Sequence, residues 1–294
     1  MLRYGRNWPN EYSDLDIEKL AFRTIMEAKI TGKSTKGLMP AHEHFWNIVD
    51  ILWPQDGPQI KFTRHPWADK MIEEACRWEY LAVSGGSGIG KSQAFAIWAL
   101  VNWIVAPFET KVLVTSVTLA GARSRIWAPI TDYFNALRPE HCPGKLTDAT
   151  GIIRTQIGNK KGSQKCGIQL VAGDKSQTEQ SSKIIGIHNQ FVLLIGDELT
   201  DLQESLINAA KSNLKGNPRS QFIGIGNPKS RFDPHGQLSE PMDGWKTIDE
   251  TTTEWRTKLG YAIRFDGEQS PNILAGRTIY SFLPTVEHQD AASV

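Results

Sequence analysis

The stretch Leu81-Ala82-Val83-Ser84-Gly85-Gly86-Ser87-Gly88-Ile89-Gly90-Lys91-Ser92 decides how this chain is read. Residues 81–84 predict a short buried strand. Residues 85–92 satisfy G-x-x-x-x-G-K-[ST], and the apolar run AFAIWALVNWIVA from Ala94 predicts a helix beginning at Lys91. Strand, glycine-rich turn and helix N-terminus are the parts of a phosphate cradle. The glycines let successive backbone N–H groups converge on phosphate oxygens, and the helix contributes the positive end of its dipole. In such a cradle Lys91 reaches the β- and γ-phosphates of ATP and the Ser92 hydroxyl ligates Mg²⁺. Gly85, Gly86, Ser87, Gly88, Ile89, Gly90, Lys91 and Ser92 are therefore the candidate nucleotide-binding residues.

Downstream, strands and helices alternate. Strands are predicted at 112–117, 191–195 and 221–225, a helix over Ala120–Leu137, a hairpin around Gly158-Asn159-Lys160-Lys161-Gly162, and a further helix after Asp201. This alternation predicts an α/β fold with a mainly parallel central sheet flanked by helices, a P-loop NTPase of RecA/ASCE-like type. The strand Phe191–Ile195 runs into Asp197-Glu198. In a parallel sheet, carboxylates just past the C-terminal end of a strand face the same crevice as the phosphate loop. Asp197 is expected to hold Mg²⁺ and Glu198 to polarise the attacking water; an exposed turn at a helix start would carry the same residue types. A glutamate beside the metal aspartate marks nucleotidases with an extra strand between the loop strand and the metal strand, and the strand from Val112 is the candidate for it. At the end of the fourth strand, Asn227 in Gly226-Asn227-Pro228 is placed to sense the γ-phosphate, although Asn-Pro is also an ordinary turn dipeptide.

Upstream, the first seventy residues read as helical. Leu15, Leu20, Ile25 and Met26 fall near one face, and a second helix covers His42–Leu52 before Pro54. After Asp233 the pattern weakens through an acidic stretch from Glu240 to Glu254 and a strand at Tyr261–Phe265. The predicted division is 1–70 as a small helical lid on the adenine side, 71–235 as the ATPase core, and 236–294 as an extension completing the lid.

Composition bounds the rest. The 294 residues are 40% hydrophobic and 22% charged, which fits a chain with a sizeable core and excludes a disordered one. Lys+Arg is 33 against 32 Asp+Glu, so a nucleic-acid surface must be local. The candidates are Lys211, Lys215, Arg219, Lys229 and Arg231, and the hairpin lysines Lys160, Lys161 and Lys165; ordinary surface lysines are the alternative. Three cysteines without C-x-x-C spacing argue against disulfides and zinc, and His42-x-His44 lacks further ligands. No signal peptide or membrane span is legible, and the chain reads as cytoplasmic.

The ordered set GGSGIGKS at Gly85, VLVTSVTLAGARSRIWAPI at Val112, GIHNQFVLLIGDEL at Gly186, IGNPKSRFDPHG at Ile225 and IRFDGEQSPN at Ile263 resembles the large subunits of tailed-phage terminases, the motors of DNA packaging. The resemblance runs from about Trp67 to Asn272. It implies ATP and Mg²⁺ as cofactors and double-stranded DNA as the load. It also implies a homo-oligomeric ring docked on the portal protein of a procapsid in the host cytoplasm, with a terminase small subunit as partner. Lys91, Ser92, Asp197, Glu198 and Asn227 take the corresponding roles. Many terminases carry an arginine inside the phosphate loop; here those places are Gly86, Ser87, Gly88 and Ile89, so Arg123 and Arg125 are the candidates to neutralise charge, in cis or across a subunit boundary. No glutamine for adenine stands ahead of the loop, where Arg64, His65 and Trp67 lie. The family's nuclease domain has no room before Val294, so cutting is not expected. The competing readings are an Asp-Glu-box helicase and a nucleotide-binding assembly subunit without turnover.

Overall fold

The computed structural model describes residues 12–285 apart from 58, 164, 173–188, 205–207, 209–211 and 213–215. Three helices precede the sheet: α1 (Asp14–Thr31), α2 (Ala41–Leu52) and α3 (Pro66–Arg77). Each starts where the sequence provides for it. Ser13 caps α1 by accepting from the Asp16 amide, and His65 with Pro66 opens α3. Leu15, Ile25 and Met26 are buried as expected, whereas Leu20 is 42% exposed and faces solvent on the other side of α1. The phosphate-loop strand β1 (Tyr80–Gly85) leads into α4 (Lys91–Val105), which has eleven buried residues from Ala94 to Ile104. A helix apolar all round has to be covered all round. The sheet lies on one side of α4, and α1 and α2 cover another, their Phe22 and Phe45 rings packing on Trp98 at 6.1 and 5.2 Å.

The sheet contains β2 (Thr110–Ser116), β3 (Gly144–Thr147), β4 (Ile152–Ile157), β5 (Lys160–Lys161), β6 (Gly167–Ala172), β7 (Phe191–Gly196), β8 (Arg219–Gly226), β9 (Glu254–Arg256) and β10 (Tyr261–Phe265). Their spatial order is β3-β4-β6-β2-β7-β8-β1-β10-β9, with β5 paired to β4. The six central strands from β6 to β10 run parallel, and β3, β4, β5 and β9 add antiparallel edges. The strand inserted between the loop strand β1 and the acidic strand β7 is β8. The strand from Val112, expected there, lies on the far side of β7. Parallel strands are joined by crossovers that can skip neighbours, so chain order does not fix spatial order.

The helix expected over Ala120–Leu137 is interrupted. A short turn, Leu119–Ala122, passes through a π-helical stretch at Arg123–Trp127 into the helix Ala128–Asn135. Insertions of this kind re-aim side chains and often mark functional positions. After Asp201 only Glu204, Asn208 and Ser212 are described as helical. No described helix is long and apolar enough to cross a membrane.

Candidate functional site: a phosphate-loop cleft

The cleft is built at the C-terminal ends of β1, β7 and β8, where a parallel sheet places its ligands. Gly88 and Gly90 take φ values of +79° and +82°, conformations that side-chain-bearing residues seldom adopt. A Cβ on Gly90 would stand 2.9 Å from His65 Nε2. Sequence and contact thus require glycine there, and the loop then delivers its amides to the N-terminus of α4. The resulting cavity, about 780 Å³, is lined by all eight residues from Gly85 to Ser92 together with Arg125, Asp197, Glu198 and Asn227. Its other wall is formed by residues 60–63, His65, Tyr133 and Phe282.

Three sets of contacts fill the cleft's polar groups. Lys91 Nζ donates to the carbonyls of Gly85 and Gly86 at 2.5 and 2.7 Å. Burial pushes its pKa down to about 8, opposed by the Asp197 charge. Arg125, re-aimed by the π stretch, donates from Nε to Asp197 Oδ2 at 3.2 Å, and from Nη2 to Glu198 Oε2 at 2.6 Å and Ser116 Oγ at 3.0 Å. Burial raises the pKa of Asp197 above the usual carboxylate value, and the bond from Arg125 works against that rise. Asn227 Oδ1 accepts from the Gly85 amide at 2.6 Å, while its carbonyl accepts from Thr200 Oγ1 at 2.5 Å.

Glu198 is the one non-glycine residue at positive φ, +53°, among the described residues. A left-handed glutamate costs on the order of 1–3 kcal/mol and persists only where its surroundings impose it. Here Asp197 N–H bonds to Thr115 O, and a 3₁₀ turn begins at Leu199, so the reversal is fixed on both sides.

Of the residues singled out in the sequence, Lys91, Ser92, Asp197, Glu198, Arg125 and Asn227 share this cavity. Arg123 does not join them: its guanidinium donates to the carbonyls of Asp148 and Ala149 at 3.1 and 2.9 Å. Trp67 packs on Phe265 in the core, and Arg64 lies over Trp46 and pairs with Asp69. His65 is a cleft residue, held neutral by burial, which lowers its pKa to about 4. His44 binds Glu18 at 2.7 Å, and no group of three metal-ligating side chains occurs among the described residues.

The run from Lys211 to Arg231 does not form one basic face. Lys211 and Lys215 lie outside the described residues, Arg219 stacks on Phe191 at 3.8 Å, and Lys229 pairs with Asp201 at 2.7 Å. Thr200, Ser116 and Phe282 carry no sequence signal. They reach the cleft only through the pairing of β2, β7 and β8 and the return of the chain after β10.

A parallel sheet with a strand inserted between the loop strand and the acidic strand, and a glycine loop opening a helix at Gly-Lys-Ser, defines the class: a phosphate-loop nucleotide-binding α/β fold of RecA/ASCE type. More particularly, the chain is similar in structure to phage large terminases. The ATPase domain of the Thermus phage P74-26 large terminase aligns with a TM-score of 0.44 and 16% identity, over 57% of this chain and 66% of that one. The bacteriophage HK97 large terminase gives 0.46 and 13%, over 66% and 40%. That of a thermophilic bacteriophage gives 0.42 and 15%, over 75% and 44%. This chain thus spans about two thirds of the first and less than half of the other two. No protein-family model and no curated protein matches it.

Proposed function

We propose that this chain is the ATPase motor of a tailed-phage terminase large subunit, hydrolysing ATP to drive double-stranded DNA into a procapsid. The observation that carries the enzymatic part is the meeting of Lys91, Asp197, Glu198, Arg125 and Asn227 in one cavity at the loop. The packaging role rests on the ordered motifs shared with terminases. In that role the chain works in the host cytoplasm as a homo-oligomeric ring, with the portal protein and a small subunit as partners.

The donors at the cleft suit Mg²⁺. A hard cation that keeps several waters and phosphate oxygens needs few protein ligands, and Ser92 Oγ with the buried Asp197 carboxylate offers two oxygens. Bound there, the ion neutralises charge on the β- and γ-phosphate oxygens. The residues do the rest. Lys91 exchanges the Gly85 and Gly86 carbonyls for phosphate oxygens. Glu198, once released by Arg125, orients the attacking water and accepts its proton. The freed guanidinium of Arg125 faces charge developing on the transferred phosphoryl group. Asn227, bonded to the loop at Gly85 and to the acidic turn through Thr200, registers loss of the γ-phosphate and passes it to a lid made of the N-terminal helices and the segment after Asp233.

ATP turnover with and without duplex DNA and portal tests this reading. Glu198→Gln should bind ATP as tightly as the parent chain and lose DNA-stimulated turnover by at least about 10²-fold. Undiminished turnover would remove Glu198 from the water-activating role, and ATP binding without turnover in the assembled, DNA-bound ring would point to a structural nucleotide site.

A further inference from the structure

The antiparallel extension of the sheet carries a concentration of charge that the nucleotide cleft does not use. In register, Lys145 of β3 stands opposite Arg154 of β4, Arg154 opposite Gly167 of β6, and Gly167 opposite Lys111 of β2. Paired positions on neighbouring strands share a face, so three cations form one row with a gap at Gly167. Lys161 of β5 is paired with Gln156, two residues beyond Arg154, and therefore falls on the same face. The alternate residues point the other way: Ile153 is fully buried, and Thr155 binds Trp103 at 2.9 Å.

Like charges directly opposite one another on adjacent strands weaken a sheet. Lys145, Arg154 and Lys161 are exposed, and among the described residues none of them has an acidic partner. The nearby Asp148 is engaged by Trp127 Nε1 and lies 3.8 Å from Arg123. Lys111 Nζ donates to Gln169 Oε1 at 2.8 Å, and its pKa is pushed down to about 8 by burial, with the Arg154 charge adding to the effect. The polar residues sharing this face are uncharged: Thr147, Gln156 and Gln169.

We propose that the face of β3, β4, β6 and β2 bearing Lys145, Arg154, Lys161 and Lys111 binds the sugar-phosphate backbone of duplex DNA. The row crosses three inter-strand steps of about 4.8 Å, or about 14 Å, comparable with the ~12 Å width of the major groove that separates two phosphate backbones. An arginine forks onto phosphate oxygens, and glutamine and threonine suit phosphate and sugar. The row presents charge rather than an element shaped to enter a groove, so contact is independent of sequence. The surface joins the motor through β2, which begins beside Lys111 and ends at Ser116, a ligand of Arg125. Only the choice of duplex DNA as the polyanion rests on the function proposed above.

The test is fluorescence anisotropy of the full chain with a random-sequence 30-base-pair duplex across a salt series, with ATP binding measured on the same samples. Replacing Lys145 and Arg154 together by glutamine should lower the slope of log K against log salt by about 1.8, about 0.9 per phosphate released, and weaken binding roughly tenfold at moderate salt. ATP affinity and melting temperature should not change. Lys33→Gln with Lys36→Gln, in the loop between α1 and α2, controls for net charge and should leave the slope unchanged. An unchanged slope in the Lys145/Arg154 variant, an equal loss in the control, or binding to anionic phosphatidylserine vesicles but not to DNA would each overturn the proposal. Loss of ATP turnover with DNA binding intact would strike the motor reading instead.

Discussion

Replacing Arg125 by alanine separates what this residue does for the resting protein from what it does in the reaction. At rest its guanidinium holds Glu198 at 2.6 Å and Asp197 at 3.2 Å. The Glu198 arm is well solvated, and pairs of that kind contribute ~0–1 kcal/mol. The Asp197 side chain is only 5% exposed, and a hydrogen bond to such a charged group contributes ~1.5–3 kcal/mol. Because Arg125 itself is 39% exposed, solvent screening favours the low end, and a loss of about 1–2 kcal/mol at pH 8 is expected. For a chain of this size that is on the order of 2–8 °C in melting temperature.

The sign with pH follows from Asp197. Its folded pKa lies above the unfolded value because burial disfavours the charge. The ionised carboxylate therefore weighs against folding above the folded pKa, and that burden lifts as pH falls through it. Without Arg125 the pKa climbs further. The destabilisation should be complete at pH 8 and shrink toward pH 5. In the reaction the effects run oppositely: nucleotide affinity should hold or tighten by up to about fivefold, ~1 kcal/mol, because neither carboxylate has to be released. At the same time kcat should fall about 10²–10³-fold as the donor to the transferring phosphoryl group is lost. Chemical denaturation at the two pH values and turnover with nucleotide titration make the measurements. Equal destabilisation at pH 5 and pH 8, or weakened binding with unchanged kcat, would refute the reasoning.

Two further expectations follow from single residues. The Lys91 ammonium has a pKa near 8 and only its protonated form attracts phosphate, so ATP affinity measured from pH 7 to 9.5 should fall as pH rises through about 8; a flat profile would contradict it. A Cβ added at Gly224 would stand 2.3 Å from Leu199 Cδ2 and 2.6 Å from Leu238 Cδ2, so Gly224→Ala should cost ~1–3 kcal/mol by overpacking, and a thermal melt indistinguishable from the parent would refute that packing.

Much of the fold was legible because local signals there are strong. The 85–92 stretch combines an apolar strand, glycines and a helix start, and each of these is dictated by residues within a few positions of one another. The Phe191–Ile195 strand and its following acidic pair are local in the same sense, as is the cap at Ser13. Leu20 was misplaced because helical periodicity in α1 is shallow, and one apolar residue on the solvent side costs little. The interruption at Arg123–Trp127 had no composition signal, since a π-turn is one extra residue accommodated by tertiary packing rather than demanded by propensity.

What the sequence by itself determined is the phosphate cradle, the carboxylate pair and the alternation that forces a parallel sheet, because these depend on backbone geometry and on neighbours close along the chain. The tertiary structure alone decided that β8 and not β2 stands between cradle and carboxylates, that Arg125 and not Arg123 enters the cleft, and that Lys145, Arg154 and Lys111 align across four strands. Those are matters of strand order and register, which non-local pairing sets and which no stretch of sequence records on its own.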